Sequence, residues 1–328
     1  MSAACGDSAV APAATPELRI EAPARNVLFV ADVLDLNARV WHGVAGAEIL
    51  WRSSNTRLAR VDAAGRVTAV APGAVTISAS ADGVTDALDL DVRDLPLLYD
   101  ADQVEYFGEV AFGTETGEAT PILRKWAGSP RIKVSGAPTH QDLASLDRVV
   151  RDLNELAPSL GVAVVEEGHT VELHFMPPEA FGDVEPNFEP GNLGYFWAWW
   201  NRQQEITYAR ILIATDGVTQ AERSHLLREE LTQVLGLMRD SWTYPQSIFY
   251  QGWTDTGDYA DIDRTLVEML YRADLRAGTT RDAALDVLAR ATVDRDRALA
   301  MMATTSPSVV GAARFDRVPG SGGGSGGR

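Results

Sequence analysis

Arg228-Glu229-Glu230-Leu231-Thr232-Gln233-Val234-Leu235-Gly236-Leu237-Met238-Arg239-Asp240 decides how the second half of the chain is read. Leu227, Leu231, Val234 and Leu235 fall on one stripe of a helix, so that face is predicted to be buried. His225, Glu229 and Gln233 fall together on another stripe. Gly236 is placed to end the helix, because glycine alone enters the left-handed region without cost. A helix over about 219–237 follows from this spacing.

Working outward, Arg131-Ile132-Lys133-Val134, Gly161-Val162-Ala163-Val164-Val165, Thr170 to Phe175 and Ala209 to Ala214 read as strands. Gln141 to Ala157 reads as a helix, with Leu143, Leu146, Val149, Val150, Leu153 and Leu156 on one stripe. Helices also fit 261–272 and 280–302. The result is a mixed α/β domain over 121–310. Residues 95–120 read as a connector, and the Gly/Ser-rich 311–328 as a flexible tail.

Residues 17–94 follow a different period. Short alternations recur, as at 18–21, 37–41, 49–51, 66–70, 74–78 and 87–92, with Asp62-Ala63-Ala64-Gly65 and Pro72-Gly73 as turns between them. Such spacing predicts a β-sandwich. Residues 1–16 hold small residues and Pro without periodicity and read as a disordered tether.

Charge excludes some partners. Lys and Arg number 29 against 46 Asp and Glu, a formal net charge of -17. An acidic chain repels nucleic-acid phosphates and lacks a polybasic membrane contact. Cys5 is the one cysteine, so no intrachain disulfide and no cysteine-rich zinc site can form. P-loop, nucleophile-elbow and dinucleotide signatures are absent, and no cofactor is expected.

Two resemblances add to this reading. Trp51-Arg52-Ser53-Ser54-Asn55, Ala59-Arg60-Val61-Asp62 and Gly65 through Ile77 resemble the bacterial Ig-like domain of the second group. That family implies a sandwich used as a spacer or adhesive module on bacterial surfaces. Ile122-Leu123-Arg124-Lys125-Trp126, Arg228 through Leu237 and Ser247-Ile248-Phe249 resemble an uncharacterised bacterial family, domain of unknown function 2927. Its members often look like lipoproteins. Met1-Ser2-Ala3-Ala4-Cys5-Gly6 resembles a lipoprotein junction, which makes Cys5 a candidate lipid anchor and membrane contact possible only through it. No basic and apolar signal regions precede Cys5.

The order of elements also resembles, more distantly, the matrixin-like metzincins, a zincin α/β fold. Their motif is H-E-x-x-H-x-x-G-x-x-H. Two His at i and i+4 share a zinc, the Glu polarises its water, and the Gly turns the chain toward a third His. Aligned on Glu230 and Gly236, the ligand positions here hold Glu229, Gln233 and Arg239. None is His, and Arg239 is a fixed cation. Tyr244 to Tyr250 resembles the Met-turn passage, with Phe249 in place of Met. The resemblance implies a framework whose metal chemistry has been removed.

Two functions follow as expectations. One is an extracytoplasmic, non-catalytic domain that binds a peptide, glycan or partner protein, with the Ig-like part as spacer. Glu229, Gln233, Arg239, Trp197, Trp199, Trp200 and Tyr250 are its candidate binding residues. The other is a hydrolase with Glu230 as general base and an atypical metal site, in which Glu229 and His225 hold a hard cation such as Ca²⁺. In a matrixin-like layout the run Tyr195-Phe196-Trp197-Ala198-Trp199-Trp200 falls between the third strand and the cleft-bordering edge strand. It either lines the cleft or packs as a loop on the core.

Overall fold

The computed structural model describes residues 15–43, 47–113, 121–254 and 256–305. The chain divides into two compact units. One comprises residues 1–96 with 293–328, the other residues 97–292.

The first unit is an Ig-like β-sandwich. Its strands are β1 (Glu17–Ile20), β2 (Val27–Phe29), β3 (Val33–Asp35), β4 (Ala38–Trp41), β5 (Leu50–Ser53), β6 (Ala59–Val61), β7 (Arg66–Ala69), β8 (Gly73–Ala81) and β9 (Val84–Arg93). One sheet runs β2-β9-β8-β5, a second β3-β7-β6, and β1 pairs β4. Leu28, Leu36, Val67, Val75, Ile77, Leu90 and Val92 form the core between them. The alternation that predicted strands is the alternation that fills this core. Asp62 builds the turn before β7 by accepting from the Ala64 and Arg66 amides, both at 2.9 Å. The strands β2, β3 and β6 are three residues each, too short to show a period in sequence.

The second unit is α/β. It contains α1 (Ala101–Val110), β10 (Lys125–Trp126), β11 (Arg131–Gly136), α2 (His140–Leu156), β12 (Ala163–Val164) and β13 (Val171–Met176). A 3-10 turn over Pro178–Ala180 leads into α3 (Phe181–Val184), and β14 (Gly194–Trp200), β15 (Glu205–Ala214), α4 (Gln220–Gln233), α5 (Asp261–Leu270) and α6 (Arg281–Ala289) complete it. The sheet runs β12-β11-β13-β15-β14, with β10 beside the start of β15. All pairings are parallel except that of β14, an antiparallel edge strand.

Three expectations are corrected here. Residues 95–120 include α1, whose start carries a capping box between Asp100 and Gln103. The helix expected over 280–302 is two helices, α6 and α7 (Arg295–Thr305). The chain between them turns to pair with the segment before α1: Leu98 donates to the Ala291 carbonyl at 2.7 Å, and Asp294 caps α7 through the Arg297 amide. The aromatic run 195–200 is the edge strand itself, because aromatics suit a pleated surface.

α4 begins at Thr219, which exchanges capping hydrogen bonds with Glu222. It ends at Gln233, short of Gly236. The carbonyls left open at that end are taken by side chains: Trp126 Nε1 donates to Val234 at 2.9 Å and the Tyr271 hydroxyl to Leu235 at 2.9 Å. Gly236 has φ +124°, and a Cβ there would collide with the Arg124 carbonyl. Gly236→Ala is therefore expected to lower unfolding free energy by about 2 kcal/mol or more, read as a fall in the urea midpoint at unchanged m-value.

Candidate functional site

Helix α4 packs on β14 and β15 with a cleft of about 670 Å³ along its exposed flank. One wall is β14 and the loop before it, from Glu189. The other is the segment Tyr250–Thr254. The floor is α4, with Met238 and Asp240 just beyond its end. Among the described residues the outer edge of β14 has no strand partner, so one row of backbone groups borders the cleft. Gly194 lets β14 approach closely: a Cβ there would collide with Glu230 Oε1.

The floor is polar and largely buried. His225 Nδ1 lies 2.8 Å from the Thr256 carbonyl, and His225 Nε2 3.2 Å from Glu229 Oε2. Gln233 Nε2 donates to Asp240 Oδ1 at 2.7 Å. Gln233 is 1% exposed, and its Oε1 accepts no hydrogen bond among the described residues. Burial works against a charged His225, but the bond and charge of Glu229, then the Thr256 carbonyl, outweigh it and raise His225 above the ordinary imidazole value. Burial, aided by the Glu229 charge, pushes Asp240 up to about 7 against the opposing Gln233 bond and His225 charge.

The passage after α4 is pinned from below. Asp263, wholly buried near the start of α5, accepts from Ser247 Oγ at 2.5 Å and from the Ile248 and Ala260 amides. The Tyr106 hydroxyl donates to Ser247 at 2.9 Å. Phe249 is fully buried, so the position that resembles the Met-turn residue is a packing position.

Of the residues singled out from sequence, Glu229, Glu230, Gln233, Trp197, Trp200 and Tyr250 all line this cleft. Trp199 and Arg239 do not. Successive side chains of a strand point to opposite faces. Trp199 accordingly meets Tyr208 at 5.5 Å and Arg210 at 5.6 Å, on the far face from Phe196 and Trp200. Arg239 runs its aliphatic stem along Gly113, and its amide donates to the Val110 carbonyl at 3.2 Å. The residue that reaches Gln233 is its neighbour Asp240. Sequence reasoning passed over Asp240 because the motif placed a ligand one position earlier. Among the described residues, no group of three or more His, Cys, Asp or Glu side chains is placed to hold a metal ion. Cys5 lies outside the described residues.

The raised Asp240 pKa has a stability consequence. Below its unfolded pKa near 3.8 the group is neutral in both states. As pH rises toward 7 the unfolded chain ionises first, so Asp240 costs stability over that window. Between pH 5 and 7 the wild-type unfolding free energy should fall by on the order of 2 kcal/mol relative to Asp240→Asn. Urea denaturation at the two pH values measures it; parallel curves for the two proteins would refute the assignment.

Comparison with known proteins places both units. Residues 33–92 match the bacterial Ig-like domain, group 2. No curated protein matches the chain. Among solved structures, an intimin mutant of EHEC O157:H7 is 24% identical, with 30% of this chain and 62% of that one covered and a TM-score of 0.21. The chain thus spans less than two thirds of the intimin structure. Myroilysin is 13% identical, covering 55% of this chain and 98% of its own, with a TM-score of 0.29. A GH10 xylanase from termite gut that contains a bacterial Ig-like domain is 15% identical, covering 56% and 34%, with a TM-score of 0.16. Residues 100–290, more than half of the chain, match the family described as protein of unknown function (DUF2927), and the chain belongs to that family.

Proposed function

We propose that the α/β unit is a non-catalytic receptor for an extended peptide segment, carried outside the cytoplasm beside an Ig-like spacer. The observation that supports it most is the unpartnered outer edge of β14 bordering a cleft with aromatic walls. An extended chain laid along that edge pairs its backbone with β14 and presents alternate side chains to the cleft. Trp200, 42% exposed, gives it a large rigid surface, whereas the Trp197 ring stacks on Tyr195 on the opposite face of β14. A glycan would stack on the same indole but would leave the β14 backbone groups unused.

The polar floor suits binding better than hydrolysis. A general base needs a reacting proton within reach and a group that activates or orients the attacking water. Here His225 is held by Thr256 and Glu229, and the Gln233 amide by Asp240. The hydrolase reading keeps Glu230 as its base, and the test must be able to find it.

A library of blocked octapeptides passed over the immobilised protein decides between them. Intact peptides should be retained, and amide exchange in residues 194–200 should slow when they bind. Trp200→Ala should weaken retention by about tenfold, in line with loss of a central aromatic anchor. Peptide cleavage that disappears in Glu230→Gln would establish the hydrolase instead.

The location outside the cytoplasm belongs to the same proposal. It is supported by the Ig-like match. The proposed attachment is acylation of Cys5, which follows the small residues Ser2-Ala3-Ala4. Metabolic labelling with an alkynyl fatty acid should mark the wild-type protein and not Cys5→Ser.

A further inference from the structure

We propose that the floor of the cleft is a subsite for a primary ammonium group, the side chain of a lysine in the bound peptide, received between Glu229, Asp240 and Gln233 Oε1. The inference rests on the peptide reading above and adds the side chain that the floor selects.

Three acceptor-bearing residues line that floor. Glu229 precedes Gln233 by one helical turn, and Asp240 is hydrogen-bonded to Gln233, so both carboxylates border the same end of the cleft. Gln233 commits its amide N–H to Asp240 at 2.7 Å, which fixes the direction of its oxygen. That oxygen is buried at the edge of the cleft that Gln233 lines, and it accepts nothing among the described residues. A buried acceptor without a donor is unfavourable, and a bound N–H removes the defect. An ammonium has three donors and no acceptor, which matches two carboxylates and one carboxamide oxygen. Leu226 and Met238, each 6% exposed, give its methylene stem an apolar channel.

The cations already present do not take this place. Arg124 lies over the Trp200 ring at 3.9 Å and donates to Gln204 at 3.2 Å. His225 is on the helix side of Glu229, tied to Thr256. Glu189, Glu230 and Tyr250 are the remaining ionisable walls, and Arg124 and His225 the cationic ones. As pH rises from 6 to 8, Asp240 gains charge, which favours a bound cation.

Two measurements test this. In the octapeptide library, one position should enrich lysine over norleucine by at least about tenfold in wild type. Asp240→Asn should abolish the preference while still retaining peptides. The preference should also strengthen from pH 6 to 8 in wild type alone. Separately, n-butylammonium chloride should raise the melting temperature of wild type more than tetramethylammonium chloride at equal ionic strength, and Asp240→Asn should lose that difference. Peptides retained without a lysine preference, together with equal effects of the two salts, would overturn the subsite. No retained peptide with a surviving butylammonium effect would instead overturn the peptide reading and leave the ammonium site. Stoichiometric calcium binding in calorimetry, lost in Glu229→Gln, would assign the acceptors to a metal ion and overturn the proposal.

Discussion

The α/β unit is organised around a buried guanidinium. Arg228 is 1% exposed, in the middle of α4. A guanidinium does not lose its proton in a protein, so its charge must be met inside. Asp152 from α2 meets it at 2.7 Å, the Gly257 carbonyl accepts from Nε at 2.7 Å, and the Tyr259 ring lies 4.3 Å away. One turn later Thr232 bonds back to the Arg228 carbonyl and lies 2.7 Å from the Tyr259 hydroxyl. Removing one partner of such a pair costs about 3–5 kcal/mol. Arg228 thereby ties α2, α4 and the segment before α5 to one another.

That tie also fixes the rotation of α4, and the rotation sets the site. Each residue along a helix turns by about 100°. With Arg228 and Thr232 directed at α2 and Tyr259, Glu229 and Gln233 are carried round to the cleft, and Glu230 to Gly194. His225, one turn before Glu229, joins the cleft side. The helix is thus polar on two sides for different reasons. One polar side is closed by protein partners. The other opens into a space bounded by β14 and by residues 250–254.

Much of this was legible because it is local. The stripe of Leu227, Leu231, Val234 and Leu235 gave α4, and Gly236 marks the turn beyond it. The alternation in 66–70 and 74–78 gave the sandwich. What escaped depends on partners distant in sequence. The aromatic run 195–200 carries no polar alternation, since one face packs on α4 and the other on the Phe181 and Leu212 cluster, so its strand period was invisible. The break between α6 and α7 comes from pairing with residues 96–98, nearly 200 positions earlier. Asp240 was missed for the same reason: nothing in its neighbourhood announces that Gln233 will reach it rather than a metal.

The three positions that align with the metzincin ligand motif therefore do not form one site. Glu229 pairs with His225, Gln233 with Asp240, and Arg239 leaves along Gly113. Each side chain turns toward a protein partner, and the acceptors among them form a row along the cleft, whereas a zinc site needs lone pairs converging on one point. The edge of β14 stands directly above that row, brought there by Gly194. In the proposed complex, backbone donors and acceptors on the wall and carboxylates on the floor act on the same extended ligand. There the wall would give affinity without regard to sequence, and the floor a preference for charge.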